Sequence, residues 1–95
     1  MINTNHRKIN KLENKMKKVL MFSATWCGPC RMSKPVFTQL KESKQDYQYE
    51  IVDIDENPVM ATNFGVTAVP TFVIMDGDRE VNRVLGDVKK LKEML

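Results

Sequence analysis

The chain contains two cysteines, Cys27 and Cys30, and only Gly28 and Pro29 separate them. A disulfide across so short a loop restricts the unfolded chain little, because that stabilisation grows with loop length. A structural zinc site needs four ligands, and besides this pair the sequence offers only the remote His6. The spacing therefore favours redox chemistry at a dithiol over a structural disulfide or a metal site.

An apolar run at 19–22 precedes the cysteines, and a helical pattern starts at Pro29. This order places the pair where a buried strand meets a helix N-terminus, whose free N–H groups and dipole stabilise a thiolate. Cys27, ahead of the first turn, is predicted to be the exposed nucleophile, and Cys30 to attack a mixed disulfide formed on Cys27. Gly28 would permit a tight entry into the helix, and Pro29 is tolerated in its first turn.

The rest of the sequence predicts the elements that must hold this junction. Strands are predicted at 18–23, 47–54, 71–75 and 79–84, with helices at 29–44, 58–64 and after 87. Asn57 and Asp87 are predicted N-caps, Asp76-Gly77 is a hairpin signal, and Pro35 should kink the first helix. The element order predicts an α/β fold with a central mixed sheet of about four strands flanked by helices.

The positive charge is concentrated at the N-terminus. Residues 1–18 hold six basic side chains and one acidic one, a net charge of +5, so subtracting this from the +3 of the whole chain leaves −2 for residues 19–95. We interpret residues 1–17 as a basic polar arm, with a short amphipathic helix expected at 3–18. Without a signal-peptide or membrane-spanning pattern, we expect a cytoplasmic protein that binds neither membrane nor nucleic acid.

Four features of the sequence carry a resemblance to a known family. Trp26-Cys27-Gly28-Pro29-Cys30 is identical to the active-site pentapeptide of the thioredoxin family, so the sequence resembles that family. Val69-Pro70-Thr71 is similar to the family's segment that holds a cis-proline opposite the dithiol. The stretch 53–58 resembles the family's segment after its third strand, and Gly86 its late glycine. The resemblance covers residues 18–95 and leaves the arm outside.

The resemblance implies a thioredoxin fold and a protein-disulfide reductase in which Cys27 attacks and Cys30 resolves. Trp26, Val69, Pro70 and Gly86 would line the groove that binds the substrate chain, and Met32 would extend it. The protein would need no metal and no cofactor of its own, since a flavoprotein thioredoxin reductase would supply electrons from NADPH. Its partners would be that reductase and disulfide-bearing substrate proteins, and we expect a monomer.

Three positions depart from the family's pattern. Met21 replaces a buried aspartate, Ile51 replaces its lysine partner, and Ser23 replaces an aromatic residue. Losing both charges together is self-consistent, because an unpaired buried charge is costly whereas two apolar side chains can pack. Without the carboxylate, loss of the Cys30 proton would depend on solvent.

Other activities are compatible with the same residues. A glutaredoxin-like enzyme or a disulfide oxidant and isomerase would use the same exchange, although relatives of those kinds usually carry Tyr or His between the cysteines. A redox-independent binding subunit of a larger assembly is a different class. The Gly28-Pro29 pair favours the reductase.

Overall fold

The computed structural model describes residues 17–95. In chain order these residues form β1 (Lys17–Ser23), α1 (Gly28–Ser43), β2 (Gln48–Asp53), α2 (Pro58–Asn63), β3 (Thr71–Asp76), β4 (Arg79–Leu85) and α3 (Val88–Met94). The amphipathic helix expected at 3–18 lies outside the described residues, except that Lys17 and Lys18 belong to β1.

The four strands form one mixed sheet in the order β2-β1-β3-β4. β1 runs parallel to β2 and antiparallel to β3, which pairs with β4 in a hairpin. The predicted mixed sheet of about four strands is therefore confirmed. Residues 19–22 of β1 are all apolar because this part of the inner strand is buried on both faces, and the C-terminal end of β1 leads to the cysteines.

The two faces of the sheet carry separate hydrophobic clusters. On one face, Val19 and Met21 of β1 pack with both cysteines and with apolar residues of α1 and α3. On the other face, Leu20 and Phe22 pack with residues of β3 and α2. The alternation follows from the period of two in a strand, and it fixes the dithiol on the α1 face.

Local signals set the starts of α2 and α3 as predicted. The Asp87 carboxylate accepts from the Lys89 and Lys90 backbone N–H groups and caps α3. Asn57 precedes α2, but its side chain makes no cap hydrogen bond and instead donates to the Asp53 carbonyl. Asn57 therefore occupies the predicted N-cap position with Pro58 at the start of the helix, but its side chain bonds to the turn after β2 and not to a helix N–H group. Pro35 lies inside α1, which runs unbroken from Gly28 to Ser43.

Candidate functional site

The two cysteines form a disulfide at the start of α1, with their Cα atoms 5.2 Å apart. Cys27 occupies the N-cap, and its sulfur accepts the Cys30 backbone N–H at 3.1 Å. A sulfur thus takes the place that a Ser or Asp oxygen usually has at a helix N-terminus. Negative charge on Cys27 Sγ is stabilised by the same N–H group and by the helix dipole.

The cysteines are less accessible than expected. Cys27 is 5% exposed and Cys30 is 0% exposed, so the prediction that Cys27 is exposed is wrong for the disulfide form. Cys27 Sγ lies 3.7 Å from the Val69 carbonyl oxygen, so the loop before β3 covers one side of it. Any partner must therefore reach the sulfur from the remaining side.

Two segments distant in sequence meet beside the disulfide. The Val69–Pro70 peptide bond is cis, and the Gly86 N–H donates to the Pro70 carbonyl at 2.8 Å. Gly86 has φ +77°, a conformation that side chains other than glycine rarely adopt. The structure thus brings Cys27, Val69, Pro70 and Gly86 together at one end of the sheet, where β1 and β4 end and β3 begins.

Gly28 and Pro29 lie in the first turn of α1 and are exposed. The reason predicted for Gly28 is not observed, because its φ is not positive and a Cβ built there meets no heavy atom within 4 Å. Pro29 stands at the first helical positions, where a missing N–H costs no hydrogen bond.

Trp26 directly precedes Cys27 in the chain, and its side chain is 64% exposed. Its indole N–H donates to Asp55 Oδ2 at 2.9 Å, a contact between residues 29 apart in sequence. Asp53 shapes the turn that carries Asp55, because its Oδ1 accepts the backbone N–H groups of Asp55 and Glu56. The sequence analysis assigned Asp55 no role; the available signal was that β1 and β2 are parallel, so their C-terminal ends meet.

Arg31 is a second residue that the sequence analysis missed. Its guanidinium donates to the Thr25 carbonyl at 2.9 Å and ties the first turns of α1 to the loop that carries Trp26. Met32, the next residue of α1, is a large exposed apolar side chain, as expected for a further part of the groove.

The surroundings of Cys30 are apolar. Met21 and Ile51 are register partners on β1 and β2, and Met21 is fully buried while Ile51 is 42% exposed. Of the two expected apolar residues, only Met21 is fully buried. Ile51 remains partly exposed to solvent because β2 is an edge strand. Within residues 17–95, the buried polar side chains are Ser23, Ser33 and Thr71, none of which is an acid or base near neutral pH.

The described residues offer neither a metal site nor a membrane span. Among residues 17–95, no three His, Cys, Asp or Glu side chains lie close enough together to ligate one metal ion. In the same part of the chain, no helix combines the length and apolarity needed to cross a bilayer.

Comparison with protein families matches residues 2–95 to the thioredoxin family model. The match extends into the arm that the sequence analysis had left outside the resemblance. Thioredoxin H2 of Arabidopsis thaliana is 42% identical over 71 residues, which are 75% of this chain and 53% of that protein. Thioredoxin H-type of Brassica campestris is 40% identical over 86 residues, 90% of this chain and 69% of that protein. The chain thus spans about half the length of the Arabidopsis relative.

Solved structures show the same arrangement. Thioredoxin NaTrxh from Nicotiana alata superposes with a TM-score of 0.81 at 36% identity, covering 96% of this chain and 79% of that one. Oxidised mitochondrial thioredoxin 3 from Saccharomyces cerevisiae gives a TM-score of 0.79 at 32% identity, covering 94% and 86%. Both neighbours share the fold described above.

Proposed function

Because the chain belongs to the thioredoxin family, we propose that it is a protein-disulfide reductase of the thioredoxin type. The observation that carries this proposal is the Cys27–Cys30 disulfide at the N-cap of α1. The disulfide is opposite Val69-Pro70, on a surface where Trp26 is exposed. This arrangement offers an activated sulfur, a second sulfur within bonding distance and an apolar surface for a partner.

The first step uses the reduced protein. The Cys27 thiolate attacks one sulfur of the substrate disulfide, which forms a mixed disulfide and breaks the substrate's S–S bond. The other substrate sulfur leaves as a thiolate and takes a proton. The Cys30 N–H, which lies 3.1 Å from Cys27 Sγ in the disulfide form, stabilises the attacking thiolate.

The second step releases the substrate. Cys30 loses its proton and attacks Cys27 Sγ, so that the protein disulfide forms and the bound substrate sulfur leaves as a thiolate. Two electrons have then passed from the protein dithiol to the substrate disulfide. Since Met21 supplies no carboxylate, the Cys30 proton passes to water or to the departing substrate thiolate.

The binding surface in this proposal consists of Trp26, Val69, Pro70 and Gly86, with Gly28 and Pro29 completing the active-site motif. Cys27 Sγ contacts the Val69 carbonyl, and Gly86 is hydrogen-bonded to Pro70, so these residues form one continuous surface. Trp26 offers an exposed aromatic face beside the nucleophile. An extended substrate segment would lie across this surface with its disulfide over Cys27.

The remaining components of the proposal follow from the family. Thioredoxin reductase, a flavoprotein, passes electrons from NADPH to the Cys27–Cys30 disulfide, so the chain itself requires neither cofactor nor metal. Disulfide-bearing proteins are the substrates, and the chain acts as a cytoplasmic monomer. It binds no nucleic acid and no membrane, and it serves electron transport and redox homeostasis.

A trapping experiment tests the mechanism. Cys30→Ser keeps the nucleophile but removes the resolving thiol, so a protein substrate such as insulin should accumulate as a mixed disulfide on Cys27, visible by mass. Cys27→Ser is the matched control, because it retains one thiol in the same turn and should trap little substrate. Equal trapping by both variants, or reduction of insulin by a chain lacking both cysteines, would contradict the mechanism.

The redox equilibrium distinguishes the reductase from the related activities. The wild-type protein is equilibrated with graded dithiothreitol, and free thiols are counted by alkylation and mass. A potential near about −270 mV is typical of thioredoxin, whereas about −180 mV is typical of protein disulfide isomerase. A potential near the isomerase value would contradict the reductase proposal and indicate an oxidant or isomerase.

A further inference from the structure

Arg83 connects β4 to the end of α2. Its side chain is partly buried, and the guanidinium donates to the carbonyl of Phe64, the C-cap of α2, which is 19 residues away in sequence. The same guanidinium makes two hydrogen bonds to the Glu80 carboxylate, at 2.7 and 2.8 Å. These bonds lower the pKa of Glu80, so the pair is charged at neutral pH. A carbonyl at a helix C-terminus carries partial negative charge and is a favourable acceptor for such a cation.

This contact holds the first residue of a loop whose last residue is also bonded to the β4 segment. Residues 64–70, here called the 64–70 loop, connect α2 to β3. Arg83 bonds to Phe64 at the start of the loop, and the Gly86 N–H donates to the Pro70 carbonyl at its end. Arg83 lies in β4 and Gly86 directly follows that strand. The end of β4 therefore fixes both ends of the loop.

The 64–70 loop controls access to the disulfide. It carries Val69, whose carbonyl oxygen lies 3.7 Å from Cys27 Sγ, and Cys27 is 5% exposed. The part of the loop next to β3 has a local bond of its own, because the Thr71 hydroxyl donates to the Ala68 carbonyl at 2.6 Å. The part next to α2 depends on tertiary contacts, since that helix has six residues and is too short to be stable alone.

We propose that Arg83 is a positioning residue for disulfide exchange, which holds the 64–70 loop where Val69 covers Cys27. Without the guanidinium, the loop opens locally at a lower cost in free energy. An open loop uncovers Cys27 to small thiols. It also no longer presents Val69 and Pro70 in one fixed arrangement, so a protein substrate must order them when it binds. This second effect rests on the proposed function, whereas the first does not.

The first test measures how fast dithiothreitol reduces the Cys27–Cys30 disulfide of the full chain. One dithiothreitol thiolate attacks Cys27 Sγ and displaces Cys30, and its second thiolate then releases Cys27, so the protein gains a dithiol and the reagent becomes a cyclic disulfide. In Arg83→Ala the rate constant should rise about three- to fivefold, the factor expected for one lost hydrogen bond. Acid quenching, alkylation and mass give the free thiols at each time.

The second test uses a protein substrate and should give a change in the opposite sense. The KM of Arg83→Ala for insulin should rise about three- to fivefold, because Val69 and Pro70 are no longer held in place for binding. Steady-state kinetics with excess reductant measure this constant. A purely structural loss of stability would not make the disulfide more reactive toward a small thiol and, in the same folded protein, weaken the binding of a large substrate.

Matched variants separate the loop contact from charge and from stability. Arg79→Ala removes the same charge from an exposed position of the same strand. Tyr49→Phe removes another bond from a partly buried side chain to a carbonyl, that of Lys44, outside the 64–70 loop. Both variants should keep the wild-type rate constant and KM. Arg83→Lys keeps a cation but not the planar fork that bonds two groups at once, so it should show smaller changes in the same directions, and it replaces the alanine variant if that does not fold.

An unchanged rate constant or an unchanged KM in Arg83→Ala would overturn the proposal, as would equal changes in Arg79→Ala or Tyr49→Phe. The dithiothreitol reaction needs no protein substrate, so its outcome is independent of the proposed function. An unchanged rate constant in a protein that reduces insulin rejects the role of Arg83 alone. A raised rate constant in a chain whose wild type reduces no protein disulfide rejects the reductase proposal and supports the covering of Cys27 by the loop.

Discussion

At the residue scale, the contact between Trp26 and Asp55 extends the site beyond the pentapeptide. The indole is exposed, so without the Asp55 hydrogen bond it would be free to leave its position beside Cys27. An indole that is already held in one orientation loses less conformational entropy when a substrate binds, so binding is more favourable. Asp55 therefore acts through Trp26 and not on the reacting sulfurs.

We expect Asp55→Ala to raise KM for a protein substrate about fivefold with little change in kcat. The reason is that one hydrogen bond, worth about 1 kcal/mol, is lost from the binding surface while the dithiol is unaffected. Steady-state kinetics with insulin measure both constants. Glu56→Ala is the control, because Glu56 is exposed and takes part in the turn through its backbone N–H. Equal effects of the two variants would indicate that the negative charge of this segment matters and not the hydrogen bond to Trp26.

A second prediction at the residue scale concerns Tyr49. Burial, with smaller contributions from Tyr47 and Asp46, raises the pKa of Tyr49 from 10.0 to about 12. Its hydroxyl donates to the Lys44 carbonyl at 2.7 Å, after the end of α1. The folded state holds this proton more tightly than the unfolded state, so the stabilisation is complete below pH 10 and is lost as the pH rises toward 12.

Tyr49→Phe should therefore flatten the fall in unfolding free energy between pH 10 and pH 12. Denaturant titrations at several pH values measure this slope, and ultraviolet absorbance follows tyrosinate formation. The chain has two tyrosines, so Tyr47→Phe is the matched control and should leave the late-titrating phenol in place. If the phenol that titrates at high pH disappears in Tyr47→Phe and remains in Tyr49→Phe, the prediction for Tyr49 is wrong.

At the element scale, the short α3 depends on the N-cap residue that precedes it, Asp87. The helix has seven residues, too few to be stable alone, and Leu91 is its fully buried contact with the core. Asp87 satisfies two backbone N–H groups at its start, directly after Gly86. The cap thus supports the same turn that places Gly86 against Pro70.

Asp87→Ala should lower the free energy of unfolding by about 1 kcal/mol, the usual cost of a lost N-cap. Urea titration of the disulfide form measures the loss. Asp87→Ser retains a capping oxygen and should recover most of the stability. If the serine variant is as destabilised as the alanine variant, the effect comes from charge and not from the cap.

The elements were predictable from sequence where the signals are local. The apolar run of β1, the Asp76-Gly77 turn and the Asp87 cap each lie within a few residues of the structure that they determine. Asn57 stands at the predicted N-cap, but the hydrogen bond from its amide to the Asp53 carbonyl belongs to the turn after β2, which the sequence pattern does not describe.

The parts of the site that sequence did not predict depend on contacts between distant segments. The exposure of Cys27 is limited by Val69, and Trp26 is held by Asp55, in contacts 42 and 29 residues apart in sequence. Periodicity and capping rules describe neighbours along the chain, so they are silent about such pairs. The family resemblance supplied Pro70 and Gly86, but not the contact of Asp55 with Trp26.

At the scale of the whole molecule, the predicted boundary between residues 17 and 18 is one residue late, because Lys17 is the first residue of β1 and pairs with Asp76 of β3. We propose that residues 17–95 form the catalytic domain and that the basic residues 1–16 are dispensable for disulfide exchange. A chain that starts at Met16 retains every residue placed at the site, so it should reduce insulin as the full chain does. The full-length protein assayed in parallel is the reference. Loss of exchange in the shortened chain would contradict this boundary and assign the arm a part in the domain.

The position of β1 between β2 and β3 also orders events during synthesis. The cysteines leave the ribosome before either neighbouring strand, and about forty residues separate Cys30 from Thr71. At 5–20 residues per second, this gap lasts roughly 2–8 s. Throughout that interval, neither Val69 nor the completed sheet shields the thiols. A nascent chain therefore presents two ordinary cysteines to cellular oxidants, and selective reactivity begins only when β3 joins the sheet.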